Sequence, residues 1–167
     1  YSLDDGKVVP ARVISMTIPH AAGGLVSTVD DLLKWNRALH EGRVLRNPSY
    51  ARMITPVGKA RAAKYGFGIE LATVQGRPML EHSGGIFGFE SMLEYVQGPD
   101  ISVVVLQNND SNDDYKGPDM IARKLAAAAL GEPYPEATPI PVDMATIKQF
   151  EGVYRIDDAS ARVHHEK

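Results

Sequence analysis

After Lys64 the spacing of apolar residues changes from a helical period to an alternation of two, and this limits the chain to a small set of folds. Phe67, Ile69 and Leu71 alternate with glycine and glutamate. Gln75-Gly76-Arg77 reads as a hairpin turn into a strand at 79–82, and a glycine-rich corner follows at Ser83, Gly84, Gly85 and Gly88. Two more strands, 89–97 and 101–107, are joined by the tight turn Gly98-Pro99-Asp100. Connections this short cannot hold a crossover helix, so successive strands must run antiparallel. Strand 101–107 is apolar on both faces, which predicts a place in the middle of a covered sheet.

Helical patterns flank this block. Residues 19–25, with Pro19, Gly23 and Gly24, read as a loop. Ser27 or Thr28 then suits an N-cap, with Asp30 or Asp31 closing a capping box. The helix expected at 30–41 puts Leu32, Trp35, Asn36 and Leu39 on one face, and Gly42 supplies its stop. A short helix at 48–54 ends before Pro56, and a third at 118–130 carries Met120, Ile121, Lys124, Leu125 and Ala128. Alternation through Val9, Arg12, Val13, Ile14 and Met16 suggests one edge strand. The order is helix, helix, antiparallel strands, helix: an α+β fold, an antiparallel sheet with packed helices. Four prolines between 133 and 141 read as a stiff linker. The expected organisation is a domain at 1–131, a linker at 132–145 and, at 146–167, the start of an appended β domain. Neither end reads as a natural terminus, so a fragment of a longer protein is expected.

The chain has 167 residues with a formal net charge of -3, so no basic field is available for a nucleic-acid partner. It contains no cysteine, which excludes disulfides, thiolate metal sites and cysteine nucleophiles. The longest aliphatic run, 103–106, is far too short for a membrane span, and the opening residues do not read as a signal peptide.

No serine has a lysine three positions on, and Gly-x-Ser-x-Gly, His-Glu-x-x-His and phosphate-binding glycine loops are absent. A complete active site is therefore not expected within these residues. The segment with chemical character is His82-Ser83-Gly84-Gly85-Ile86-Phe87-Gly88-Phe89, where a histidine, a hydroxyl and unhindered backbone N–H groups leave a strand together. Two readings stand: a glycine-rich hairpin corner with an incidental histidine, which spacing alone favours, or a corner that lends main-chain donors to a substrate carbonyl. Trp35 suits a core or interface anchor, and His20 a loop position. His164-His165-Glu166 suits a solvated tail, because neighbouring residues of a strand face opposite ways. Asp110, Asp113 and Asp114 make a polar loop without the spacing of a calcium hand. No metal or cofactor is expected. Phe87 and Phe89 fit either a cleft or the core.

From Ala21 to Leu130 the sequence resembles the C-terminal half of the serine β-lactamase-like hydrolases, the group of class C β-lactamases, DD-peptidases and related esterases. The likeness rests on Ala22-Gly23-Gly24-Leu25-Val26-Ser27-Thr28-Val29-Asp30-Asp31-Leu32 before a Trp-bearing helix, then Tyr65-Gly66-Phe67-Gly68. It continues with His82-Ser83-Gly84-Gly85, Gly88-Phe89 and two strands ending Leu106-Gln107-Asn108. The resemblance implies a partial β-lactamase/transpeptidase-like fold from a bacterial hydrolase, and a periplasmic or secreted location. It also implies that His82-Ser83-Gly84 is a variant of the family's Lys-Thr-Gly motif. His82 would then set the electrostatics and proton network of the site, and Ser83 would bind a substrate carboxylate or carbonyl. Gly84 would keep the strand edge open, and the Gly85 N–H would be one oxyanion donor. The family's Ser-x-x-Lys and Tyr-x-Asn are missing, so the chain alone is expected to be inactive and its substrate, a small molecule or peptide, to belong to a longer parent. Such a chain should expose a strand edge and self-associate. A non-catalytic binding or regulatory module on the same scaffold is the alternative.

Overall fold

The structure, a computed structural model, describes residues 1–4, 7–110, 117–136, 141, 143–156 and 159–163. These form two compact units, 1–134 and 135–167. In the first, strands β1 (Ser2–Asp4) and β2 (Lys7–Val9) pair antiparallel, and helices α1 (Val29–His40) and α2 (Asn47–Met53) follow. Strands β3 (Glu70–Val74), β4 (Arg77–Ile86), β5 (Phe89–Val96) and β6 (Ile101–Gln107) then form one antiparallel sheet in the order β3-β4-β5-β6, and helix α3 (Pro118–Ala129) completes the unit. The fold is α+β, as expected from the hairpin-length connections.

Each boundary has a local cause. The Thr28 hydroxyl accepts the Asp31 N–H at 3.2 Å, capping α1, while Asp30 and Asp31 sit against the positive end of its dipole. A proline stands in the first turn of both α2 and α3, where no intrahelical N–H bond is lost. Gln75 and Gly76 both adopt positive φ, giving the two-residue turn that suits the twist of β3 and β4.

Alternation along the strands separates two faces. Val74, Met79, Met92, Val96, Val103 and Val105 point to α3 and pack on Ala122, Ala126 and Ala127. The buried stripe of α3 is alanine, not the larger residues the spacing suggested, and Leu125 is half exposed. On the other face lies α1, whose Asn36 Nδ2 donates to the Glu94 carbonyl at 2.9 Å. Its His40 ring stacks on Tyr95 at 3.9 Å and bonds the Tyr50 hydroxyl at 2.7 Å through Nδ1, tying α1, α2 and β5 together.

Four expectations are corrected. Strand β6 ends the sheet instead of lying within it; both its faces are apolar because α1 covers one and α3 the other. The chain turns at Phe87-Gly88, beyond residues 82–85, which continue β4 as extended strand; Gly88 carries the positive φ. Residues 10–16 form no strand, and the pairing falls earlier, at 2–9. Trp35 is 49% exposed, whereas Asn36 and Leu39 are buried, so α1 turns a slightly different stripe inward.

In the second unit, α4 (Met144–Lys148) is capped by the Asp143 carboxylate, and β7 (Gly152–Ile156) pairs antiparallel with β8 (Ala159–Val163). Residues His164, His165, Glu166, Asp113 and Asp114 lie outside the described residues. Among those described, no helix is long and apolar enough to cross a membrane.

Candidate functional site

Strand β4 is longer than β3. Its last partner on that side is Glu81, opposite Glu70, while on the other side it stays paired with β5 as far as Ile86. Residues 82–86 therefore project with one edge unpaired among the described strands. Register determines which groups that edge presents. The two-residue turns at 75–76 and 87–88 make Val74–Arg77 and Ile86–Phe89 the closing bonded pairs, so Arg77, Met79 and Glu81 bond toward β3. By the same alternation the main-chain groups of Ser83 and Gly85 point out over the open edge, and those of His82, Gly84 and Ile86 point to β5.

The glycines suit this edge. A Cβ built on Gly85 would meet nothing within 4 Å, so the face of the sheet is open at this residue. One built on Gly84 would stand 2.5 Å from the Ser91 hydroxyl, which itself donates to the Gly84 carbonyl at 3.3 Å. The far end is anchored by Asp110, whose Oδ2 accepts the Gly88 N–H at 2.7 Å and the Ser2 hydroxyl at 3.0 Å. Those bonds hold its carboxyl below the usual range. Asp110 thus clamps the β4–β5 turn, a role its loop composition does not announce.

His82 and Ser83 are successive strand residues, so their side chains leave opposite faces. The His82 ring, on the α1 side of the sheet, has both nitrogens engaged. Nδ1 lies 2.6 Å from the Ser83 carbonyl and Nε2 lies 2.7 Å from the Tyr65 hydroxyl, with the rings edge-on at 5.7 Å. Tyr65 was legible only as part of the Tyr65-Gly66-Phe67-Gly68 pattern. Its backbone is held by the Tyr65 N–H to Ala60 carbonyl bond, by a bridge to Glu70 and by the Gly66 N–H to Ile69 carbonyl bond. Gly66 is required there, because a Cβ would run into the Met53 carbonyl. Phe67, Phe87 and Phe89 are all exposed, and Arg12 and Arg52 lie over the faces of Phe87 and Phe67. His20 sits in an exposed turn region.

On the α3 side, next to this edge, lies a charged cluster. Arg123 Nη2 donates to Glu81 Oε2 at 2.8 Å, its Nη1 to the Thr73 carbonyl at 2.6 Å, and its Nε lies 3.6 Å from Glu94 Oε1. Glu94 is wholly buried and neither carboxyl oxygen has a hydrogen-bond partner; burial raises its pKa to about 7. Among the described residues no group of three or more metal-ligating side chains is assembled.

The arrangement can present main-chain N–H donors and an engaged histidine to a polar ligand. The family model Beta-lactamase matches residues 1–128. D-aminopeptidase of Gluconobacter oxydans is 33% identical over 113 residues, 66% of this chain and 21% of that protein. The crystal structure of D-amino acid amidase from Ochrobactrum anthropi SV3 superposes with a TM-score of 0.54 at 23% identity, over 65% of this chain and 38% of its own. The octameric penicillin-binding protein homologue from Pyrococcus abyssi gives 0.54 at 24%, over 64% and 25%. The chain spans about a fifth of the length of the curated relatives it matches. Matched over most of its length, and folded as an α+β sheet shared with those structures, the chain belongs to the Beta-lactamase family.

Proposed function

We propose that this chain forms one wall of the cleft of a serine hydrolase that cleaves amides, and that the open edge of β4 is half of its oxyanion hole. The observation that carries this reading is the register of β4, which turns the Ser83 and Gly85 N–H groups away from β5, on the side where no described strand pairs with them. In the reaction a serine oxygen bonds to the amide carbonyl carbon, the carbonyl oxygen gains negative charge, and the C–N bond then breaks as the amine takes a proton. Water hydrolyses the resulting ester. The Gly85 N–H would hold the developing oxyanion. Gly84 would keep the edge accessible, the Ser83 hydroxyl would bind a substrate carboxylate or carbonyl, and His82 would shape the proton network. The serine and its base would come from polypeptide outside these 167 residues, which contain no Ser-x-x-Lys or Tyr-x-Asn. The names of the relatives in Gluconobacter and Ochrobactrum favour an amide of a D-amino acid over a lactam or ester.

The test uses the chain joined to its upstream coding sequence and a chromogenic D-amino-acid anilide. Gly85→Pro removes an N–H that no described strand uses, so the sheet should survive. Turnover should fall by about 10²-fold or more. Unchanged turnover in Gly85→Pro, or hydrolysis by residues 1–167 alone, overturns the proposal. A non-catalytic binding module would show neither activity nor a Gly85→Pro effect on it.

The side of β6 that pairs with no described strand supports a further part of the reading, that copies of the chain associate. This strand has no charged residue and no proline to discourage edge pairing.

A further inference from the structure

We infer that Tyr65 is a positioning residue that acts through His82 on the Ser83 carbonyl; the inference rests on the oxyanion role proposed for the β4 edge. Along that edge the polar groups follow in the order Ser83 N–H, Ser83 C=O, Gly85 N–H. A carbonyl oxygen beside the Gly85 N–H is a liability, since its negative end would lie next to the negative oxygen that N–H is meant to hold. The structure places His82 Nδ1 on that carbonyl at 2.6 Å. A carbonyl can only accept, so Nδ1 carries the proton. In the neutral ring Nε2 is then an acceptor, and the Tyr65 hydroxyl at 2.7 Å donates to it.

The result is a chain of hydrogen bonds running one way, from the Tyr65 O–H to Nε2 and from Nδ1–H to the Ser83 oxygen. Aligned bonds of this kind polarise one another, so the tyrosine strengthens the cap on the carbonyl without touching it. Without Tyr65, Nε2 faces water, and the ring is free to carry its proton there and release the carbonyl. Tyr65 can serve as the fixed end because its own backbone is pinned by bonds to Ala60 and Glu70 and by the tight approach of Gly66 to Met53. Neither Tyr65 nor His82 is part of the buried core, so the device is separable from stability.

The experiment reads the tautomer directly, by two-bond ¹H–¹⁵N correlation of the His82 ring in the 167-residue chain near neutral pH. The expected pattern has the proton on Nδ1 and a bare Nε2. A proton on Nε2, alone or together with one on Nδ1, overturns the inference. In Tyr65→Phe the pattern should move toward Nε2–H while the thermal midpoint stays near that of the parent chain; an unchanged pattern also overturns it. In the longer protein, Tyr65→Phe should lower kcat by about tenfold and leave KM within about twofold, as for a donor lost only from the transition state. If the longer protein hydrolyses no amide, the functional proposal fails, and the tautomer measurements still decide the Tyr65–His82 linkage.

Discussion

Glu81 and Glu94 stand directly opposite each other on β4 and β5, on the buried face of the sheet, and share one cation, Arg123. Two carboxylates this close cannot both ionise cheaply in a dry site. The geometry divides the roles: Glu81 takes the short bond to Arg123, while Glu94, fully enclosed, is left without a hydrogen-bond partner. Burial and the neighbouring Glu81 and Asp119 charges raise the Glu94 pKa, and Arg123 opposes them only in part.

This gives the fold a pH dependence with a definite sign. The folded-state pKa of Glu94 is about 7 against an ordinary 4.5, so its contribution is fully present below 4.5 and is lost as pH rises toward 7. The loss should be on the order of 3 kcal/mol. His40 acts oppositely: desolvation lowers its pKa from 6.5 to about 4, so its contribution is present above 6.5 and is lost as pH falls toward 4. Between 4.5 and 6.5 the two slopes oppose each other. Urea unfolding of Glu94→Gln across this range should show stability rising with pH, and His40→Phe should show it falling. Identical profiles for both variants and the parent chain would refute the assignment.

Removing the shared cation should cost more than removing either acid. Arg123→Met leaves Glu81 facing Glu94 with no counter-charge and frees the Thr73 carbonyl. A loss of about 2–4 kcal/mol in unfolding free energy is expected. Chemical denaturation measures it, and the double variant with Glu94→Leu should recover a large part.

Gly84 is constrained by its partner across the strand pair. An alanine there would press on the Ser91 hydroxyl, while the Ser91 Cβ is at an ordinary 3.9 Å. Gly84→Ala should therefore destabilise by about 1 kcal/mol, and Ser91→Ala added to it should restore most of that. Gly85→Ala, which projects into open space, should leave the thermal midpoint unchanged. A midpoint drop in Gly85→Ala as large as in Gly84→Ala would mean that the face of the sheet at Gly85 is not open.

Self-association through β6 has a direct check. Light scattering on the concentrated chain should give a mass above 18.2 kDa, and Leu106→Lys, which puts a charge on an exposed position of the edge strand, should lower it. A clean monomer at high concentration removes the proposal.

The alternation from Phe67 onward, the turns at Gln75-Gly76 and Gly98-Pro99-Asp100, an N-cap at Ser27 or Thr28 and the prolines opening α2 and α3 are all legible in the sequence. Each depends on residues within a few positions of one another, where backbone sterics and local hydrogen bonds act. Composition also determined what chemistry is absent, since a chain without cysteine has no thiolate to offer. Tertiary structure decided how far β4 outruns β3, which face of α1 is buried, and which strand closes the sheet. It also brought Tyr65 to His82 and Arg123 to Glu94. These depend on the relative lengths of strands and on contacts between residues 17 and 29 positions apart, as the paired positions show. A periodic pattern reports that a face is buried; what lies against it is set only when the whole chain has packed.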